Sequence, residues 1–292
     1  MRRGGWVALV ALAVTLVGCN LKTQSAEALG FFVPSQSPAD VTALATRLGV
    51  QVEGISGYTD GSSWATIGDY QPPSTNLRLY LGLSMSPDDG SPAQTPAHLS
   101  EYQQVAENLV AGGQAYAIVR IGWEWSSTLF SWGVQNTTPA QYVTAFDDIV
   151  TTMRSVPGEH FLFDWCALSG AAPTNGPYAA SYPGDQYVDF IGTDVYDDNS
   201  VQDWDTNLST PGGLAYTVAF AKAHDKAASV PEWGLDGQDD PTFIDLMSAF
   251  IGNPANDVGY SSYFSDASGA VNSDITQFPA SAAEFTRDFG SG

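Results

Sequence analysis

The strongest constraint on the fold is a regular alternation between short apolar segments and signals for helix initiation, which continues to the carboxyl end. Most of the apolar segments are continuous, as is typical of parallel strands buried on both faces. We predict eight strands: Leu29–Val33, Val50–Ile55, Leu77–Met85, Tyr116–Trp125, His160–Leu168, Val188–Tyr196, Ser229–Trp233 and Val258–Phe264.

The segments between these strands begin with residues that favour helix initiation. Residues 138–141 (TPAQ) and 281–284 (SAAE) fit the capping box, and residues 37–38 and 240–241 place a capping residue before proline. Eight strands alternating with helices, without a break in composition, favour a single-domain (β/α)8 barrel, the TIM barrel, over a doubly wound sheet. A two-lobed solute-binding protein would alternate in the same way and is the competing interpretation.

The amino terminus has the features of an export signal. Two arginines precede an apolar run that is too short to cross a bilayer and that ends in LVGC. This ending resembles the lipobox of bacterial lipoproteins, in which Cys19 would become the lipidated first residue. We predict a signal peptide at residues 1–18, a tether at 19–28 and a barrel domain at 29–292. The protein would then be exported and lipid-anchored to the cell membrane; an ordinary signal peptide that contains a cysteine is the alternative.

The charge balance restricts the class of partner. The 292 residues include 10 basic and 32 acidic side chains, a net charge of −22. This field disfavours binding to nucleic acid or to an anionic surface, whereas a neutral polysaccharide is compatible with it. Contact with a membrane is expected only through the lipid on Cys19, and we expect a monomer.

Neither the histidines nor the cysteines have the spacing of a metal site. If Cys19 carries lipid, Cys166 has no partner for a disulfide, and a buried small residue is the favoured interpretation of it. The aspartate-rich run at residues 197–205 lacks the spacing of a known calcium loop, so a solvated loop is preferred. We therefore predict no metal and no cofactor.

Two glutamates follow buried strands at the positions where barrel enzymes carry their chemistry. Glu124 ends the fourth predicted strand, in VRIGWEWS, and Glu232 ends the seventh, in SVPEWG. Two opposed carboxylates beside tryptophans suit glycosidic bond cleavage, in which one protonates the leaving oxygen and the other attacks the anomeric carbon or activates water. The residues alone fit equally well a core network in which Glu124 is only the ion-pair partner of Arg120.

Four stretches, VRIGWEWS, FLFDW (161–165), YPGDQYVDFIGTDVYD (182–197) and VPEWGL (230–235), occur in the order seen in glycoside hydrolase family 26. The chain resembles this family, which contains β-mannanases, from about residue 30 to residue 289. The resemblance implies a (β/α)8 barrel and a retaining double displacement. It implies Glu124 as acid/base and Glu232 as nucleophile, with Arg120 and Tyr196 in support of the nucleophile.

Further residues are predicted to bind the sugar. Asp194 lies on the same strand face as Tyr196 and could bind a hydroxyl group, although a role as a partner of Arg120 fits almost as well. The remaining candidates are aromatic residues near strand ends: Trp123, Trp125, Trp233, Phe264, Trp64 and Trp132. Packing into the core or within loops is the alternative for Phe264, Trp64 and Trp132.

The chain departs from the mannanase pattern at the acid/base, where Trp123 takes the place of a histidine. Phe264 likewise stands where many members have tryptophan. These changes affect the subsite that selects the sugar and leave the reaction type intact. We expect endo cleavage of a neutral β-linked polysaccharide, with β-1,4-mannan the leading substrate and β-1,3-xylan, mixed-linkage β-glucan or an exopolysaccharide as alternatives. A non-catalytic sugar-binding lipoprotein is the competing function.

Overall fold

A computed structural model describes residues 28–173, 175–197, 201–269 and 271–290. Eight parallel strands form a closed barrel in which each strand pairs with the next along the chain and the first pairs with the eighth. The predicted single (β/α)8 barrel is therefore confirmed. The two-lobed interpretation is wrong, because all eight strands belong to one closed sheet.

Helices follow the strands on the outside of the barrel. The strands are β1 Ala28–Phe32, β2 Gly54–Tyr58, β3 Arg78–Leu83, β4 Ile118–Ile121, β5 Leu162–Leu168, β6 Phe190–Asp197, β7 Ala227–Leu235 and β8 Val258–Phe264. The α-helices are α1 Pro38–Leu48, α2 Trp64–Gly68, α3 Leu99–Ala111, α4 Pro139–Arg154, α5 Val201–Ser209, α6 Leu214–Ala223, α7 Pro241–Ile251 and α8 Pro279–Phe289.

The fourth strand is shorter than predicted. It ends at Ile121, and the chain then turns through left-handed conformations at Gly122 (φ 54°) and Glu124 (φ 50°). Apolar character continues past the strand because this turn is itself buried, which is why hydropathy alone overestimated the strand. Glu124 therefore reaches the barrel mouth from a turn and not from the end of the strand itself.

The seventh strand continues through Pro231. The register with β8 passes from Val230 paired with Ser261 to Trp233 paired with Tyr263, so β7 contains one extra residue. Proline fits here because a bulge leaves its position out of the hydrogen-bond ladder. The bulge includes Glu232, and pairing with β8 resumes at Trp233.

Three of the four predicted helix starts are confirmed and one is wrong. Helix α1 begins at Pro38, directly after Ser37. Thr138 and Gln141 form a capping box at α4, and Asp240 accepts hydrogen bonds from the first turn of α7. The box predicted at Ser281 does not exist, because α8 already begins at Pro279. Ser281 lies inside the helix, where its backbone N–H and hydroxyl both donate to Asp239 at 2.7 Å.

The barrel interior changes in polarity along its axis. Its amino-terminal end is closed by an apolar cluster that contains Tyr80, Ile118 and Tyr260. Next come polar side chains, including a hydrogen bond of 2.7 Å between Ser56 and Ser262. In the described part of the chain no helix is both long and apolar enough to cross a membrane. The predicted signal peptide, Cys19 and all of the tether but residue 28 lie outside the described residues.

Candidate active site

Glu232 receives hydrogen bonds from three side chains at the barrel mouth. The Tyr196 hydroxyl donates to Oε1 at 2.5 Å, and the Tyr58 hydroxyl donates to Oε2. Nη1 of Arg120 lies 3.4 Å from the same Oε2. Burial raises the pKa of both phenols well above the usual value, and the neighbouring Glu232 raises it further, so both remain donors. This arrangement suits a carboxylate that must be held in one orientation.

Tyr58 was missed by the sequence predictions. The second strand was predicted to end at Ile55, whereas β2 continues to Tyr58 and places its phenol at the mouth. The sequence did offer one signal. Tyr58 is an aromatic residue with a polar end, and it lies two residues before Asp60 and the turn that follows. Tyr196, which the resemblance implied as a partner of the nucleophile, does lie against Glu232.

Arg120 links the nucleophile candidate to a buried aspartate. Its Nη2 donates to Oδ2 of Asp194, and both side chains are almost completely buried. The Cys166 thiol donates to the other oxygen of Asp194 at 3.2 Å. Asp194 is 0% exposed, so the prediction that it binds a sugar hydroxyl is wrong and its role as a partner of Arg120 is the one observed.

Glu124 has the opposite environment. It is 5% exposed, and among the described residues no hydrogen bond or ion pair involves its carboxyl group. Burial raises its pKa well above the usual value, and the charges of Glu232 and Asp194 add to this effect while Arg120 opposes it. The interpretation of Glu124 as a mere ion-pair partner of Arg120 is wrong, because Arg120 pairs with Asp194 and Glu232 instead.

The carboxylates lie close enough to act on one bond. Oxygens of Glu124, Asp194 and Glu232 all lie within 4.8 Å of one another. Three carboxyl groups share the single positive charge of Arg120, so full ionisation of all three is unfavourable. The proton resides most favourably on Glu124, because the other two carboxyl groups already accept hydrogen bonds from donors.

The acid/base candidate sits in a strained turn that its neighbours hold in place. A positive φ at a non-glycine residue costs on the order of 1 kcal/mol and is characteristic of functional positions. The Trp132 indole donates to the carbonyl of Trp123 at 2.8 Å, and the Tyr142 hydroxyl donates to the carbonyl of Gly122 at 3.1 Å. These contacts fix the backbone of the two residues that precede Glu124.

Three predicted sugar contacts are contradicted by burial. Trp125 is 1% exposed, stacks on Trp165 and lies outside the mouth. Trp233 is 0% exposed and stacks on Phe285 of α8. Trp132 is 1% exposed and is covered by the Phe130 ring at 4.7 Å. All three rings pack in the core and none of them offers a free face to a sugar.

Three other aromatic candidates keep some exposed surface. Trp123 is 8% exposed and packs 5.1 Å from the Tyr58 ring, so only its edge reaches the mouth. Phe264 is half-buried and stacks on Phe32 at 4.3 Å. Trp64 begins α2 and has one face covered by His98, at 4.1 Å. Their roles in sugar binding stay predictions.

Among the described residues, two groups of carboxylates have a geometry that could hold a cation. The first is Glu124, Asp194 and Glu232, where the guanidinium of Arg120 already lies between two of the members. The second is Asp245, Glu284 and Asp288 on the surface, and Arg287 pairs with all three. An arginine thus supplies the positive charge in both groups. The aspartate-rich run lies partly at residues 198–200, outside the described residues.

Residues 91–232 match the family model described as Glycosyl hydrolase family 26. The resemblance to glycoside hydrolase family 26 is confirmed. The matched stretch includes Arg120, Glu124, Asp194 and Tyr196 and ends at Glu232, so it contains the strands on which most of the site is built.

Individual proteins agree with the family 26 match. A mannan endo-1,4-β-mannosidase from Bifidobacterium adolescentis is 35% identical over 113 residues, which are 37% of this chain and 11% of that protein. The chain thus matches about a tenth of the length of this curated relative. A family 26 β-mannanase from Bacteroides ovatus superposes with a TM-score of 0.66 at 16% identity, covering 90% of this chain and 88% of the other.

A modular endo-β-1,4-mannanase from Cellulomonas fimi gives a TM-score of 0.66 at 17% identity, covering 88% of this chain and 70% of the other. At these identities the structural likeness establishes the fold alone. The resemblance to family 26 therefore depends on the sequence match, and the barrel is common to all three structures.

Proposed function

We propose that this protein is a retaining β-glycoside hydrolase in which Glu124 is the acid/base and Glu232 the nucleophile. The observation that carries the proposal is the distance of at most 4.8 Å between carboxylate oxygens of the two residues. Retaining enzymes hold their carboxyl groups about 5–5.5 Å apart, whereas inverting enzymes need roughly 6.5–9.5 Å to admit a water molecule. The observed proximity supports direct attack on the sugar.

Each residue then has one role in each half of the reaction. Glu124 donates its proton to the glycosidic oxygen while an oxygen of Glu232 bonds to the anomeric carbon, so the leaving chain departs as an alcohol. Glu124, now ionised, takes a proton from water as that water attacks the anomeric carbon and releases Glu232. Tyr58, Tyr196 and Arg120 hold Glu232 in line for attack.

The substrate is a neutral β-linked polysaccharide, and β-1,4-mannan is the first candidate. The net charge of −22 disfavours polyanions, and the Bifidobacterium and Bacteroides relatives are both described as acting on mannan. We expect endo cleavage. The test is incubation with β-mannan, β-1,3-xylan, mixed-linkage β-glucan and a bacterial exopolysaccharide, with proton NMR of the first products.

A β-configured first product and a rapid fall in chain length support the proposal. An α-configured first product overturns the retaining mechanism, and products of one fixed short length overturn endo action. Binding of a polysaccharide without release of reducing ends supports the competing function, a non-catalytic sugar-binding lipoprotein.

The location of the protein is a separate proposal, supported by the LVGC sequence at residues 16–19. Cys19 carries lipid and anchors the protein outside the cytoplasm. Replacement Cys19→Ser should yield an unprocessed or soluble precursor, detected by fractionation and by mass spectrometry of the mature amino terminus. Wild-type protein found free in the medium, with a mature start far from Cys19, contradicts the anchor.

A further inference from the structure

A further buried carboxyl group lies deeper in the barrel, below the catalytic pair. Asp164 of β5 is 0% exposed, and its Oδ2 accepts hydrogen bonds from the hydroxyls of Ser229 and Tyr260, each at 2.6 Å. Gly192 of β6 makes room for it, because an added Cβ there would lie 2.7 Å from Oδ1 of Asp164. Three strands thus contribute to a built site for this carboxyl group.

Asp164 faces the groups that hold the nucleophile. It is the register partner of Arg120 on the neighbouring strand, and it lies two residues before Cys166 on the same strand. Nε of Arg120 and Oδ1 of Asp164 are both buried without a hydrogen-bond partner among the described residues. The Arg120 guanidinium, a cationic donor, and the Asp164 carboxyl group, an acceptor, therefore lie on paired strands.

Several charged or titratable groups act on Asp164 from the elements around it. Arg120 favours its ionised form, whereas Asp189, which precedes β6, and Asp194 on β6 oppose it. The set of titratable neighbours also includes Cys166, Tyr142, Tyr178 and Tyr260. Arg120 is the only cation in this set, and it is also the group that lowers the pKa of Glu124.

We propose that Asp164 is a positioning residue whose charge, acting through Arg120, determines how firmly Glu124 holds its proton. While Asp164 is neutral, the full charge of Arg120 favours loss of that proton. Once Asp164 ionises, it offsets part of this charge, and Glu124 retains its proton to higher pH. The inference builds on the proposed function, since the proton on Glu124 is the one delivered to the leaving oxygen.

The titration of Asp164 falls in a range where this control is useful. Burial raises the pKa of Asp164 to about 6, although the hydrogen bonds from Ser229 and Tyr260 lower it. Asp164 is thus neutral on the acidic side of the expected activity profile and ionised on the alkaline side. Its effect should be confined to the alkaline limb, where Glu124 loses its proton.

The first experiment compares kcat/KM against pH for the wild type and Asp164→Asn. Asparagine keeps the shape and an acceptor for Ser229 and Tyr260 but has no charge. The alkaline limb should move to lower pH by roughly half a unit, while the acidic limb stays in place. Ser229→Ala removes a donor that favours ionised Asp164, so it should move the same limb in the same direction by less; it also carries the test if Asp164→Asn does not fold.

The matched control is Ser262→Ala, which removes a buried hydroxyl from the barrel interior and leaves Asp164 intact. It should move neither limb. An equal loss of activity at every pH in Asp164→Asn, with both limbs in place, would show that Asp164 only supports the fold and would overturn the inference. Movement of both limbs together, or a shift of the alkaline limb to higher pH, would overturn it as well.

A second experiment separates this inference from the proposed function. Carboxyl ¹³C NMR follows the titration of Glu124, whose signal is identified by its absence in Glu124→Gln. Asp164→Asn should lower the titration midpoint of Glu124 whether or not any polysaccharide is cleaved. An unchanged midpoint overturns the inference, while absence of hydrolysis by the wild type overturns the function alone.

Discussion

Glu124 and Glu232 are the same residue type within a few ångströms of each other, and the donors around them set their different chemistry. Glu232 receives two phenol hydrogen bonds and one from a guanidinium group. Glu124 faces two other carboxyl groups and is buried. Environments that push two acids towards opposite protonation states define acid and nucleophile in many glycosidases.

Alanine variants of the two residues should differ in kind. Glu124→Ala should retain cleavage of aryl glycosides whose leaving group needs no proton, and lose roughly 10²–10⁴-fold on polysaccharide. Added azide should accelerate it and give a β-azide. Glu232→Ala should lose nearly all turnover, and azide should give the α-azide. Product NMR provides the measurement, and reversed configurations would mean that the two roles are exchanged.

Tyr58 should contribute to catalysis through Glu232. Tyr58→Phe removes one hydrogen bond to a charged acceptor, worth about 1.5–3 kcal/mol, so kcat/KM should fall roughly 10- to 150-fold. The control is Tyr102→Phe, which removes a buried phenol that donates to backbone carbonyls at Ser84 and Met85. The control should lower Tm and leave kcat/KM unchanged. Full activity in Tyr58→Phe would contradict the assignment.

At the scale of the element, the turn after β4 matters more than the strand. Residues 122–134 bring Glu124 into the mouth, and hydrogen bonds from the Trp132 indole and the Tyr142 hydroxyl hold the backbone of this turn. Its position depends on Trp132 and Tyr142, which are tied to the backbone of the turn. Substitutions that shift this turn should therefore lower kcat before they weaken substrate binding.

Trp132→Phe tests this dependence. It leaves the carbonyl of Trp123 without its donor, so the free energy of unfolding should fall by about 1–3 kcal/mol, and kcat should fall while KM changes little. Trp165→Phe is a matched control, because the Trp165 indole N–H has no hydrogen-bond partner in the described structure. A control that loses as much kcat as Trp132→Phe would contradict the role of the hydrogen bond.

The eight strands and most helices follow from local sequence, because continuous apolar runs and capping residues act within a few positions. The site was less accessible to such reasoning. Glu124 and Glu232 stand out as charges at strand ends, but Tyr58 lies beyond the apparent end of its strand. The burial of Trp125 and Trp233 depends on helices that pack from distant parts of the chain, and no local pattern predicts it.

At the scale of the whole molecule, the excess of acidic groups makes stability depend on pH. Burial raises the pKa of Glu124 and Asp194, and that of Asp164 to about 6. The folded state therefore binds more protons than the unfolded state between about pH 4 and pH 7, and the free energy of unfolding falls as pH rises through this range.

Carboxyl groups whose pKa is lowered in the folded state have the opposite effect on stability, at lower pH. Hydrogen bonds lower the pKa of Asp60, Asp185 and Asp239, so the stability that these groups contribute is lost below about pH 4. All three lie at the surface, where the contribution is small. The two trends together place the maximum of stability at about pH 4–5.

We therefore expect Tm to be highest near pH 4–5 and lower at pH 8 in dilute buffer. Added salt should raise Tm at pH 8, because it screens the repulsion among 32 acidic side chains. Differential scanning calorimetry from pH 3 to pH 9 at low and high salt gives the measurement. A Tm that rises steadily from pH 4 to pH 8 at low salt would contradict the expectation.

The pairing of β1 with β8 has a consequence for the order of events during synthesis. Residues 28–32 form the first strand of the barrel to leave the ribosome, yet their partner strand, residues 258–264, is among the last segments to appear. An antiparallel bridge between Val50 and Gly290 joins the same two regions a second time. Until then the first strand exposes an unpaired apolar edge, which invites aggregation, and contacts of such long sequence separation form slowly. During this interval the unpaired edge of the first strand is a binding site for a chaperone.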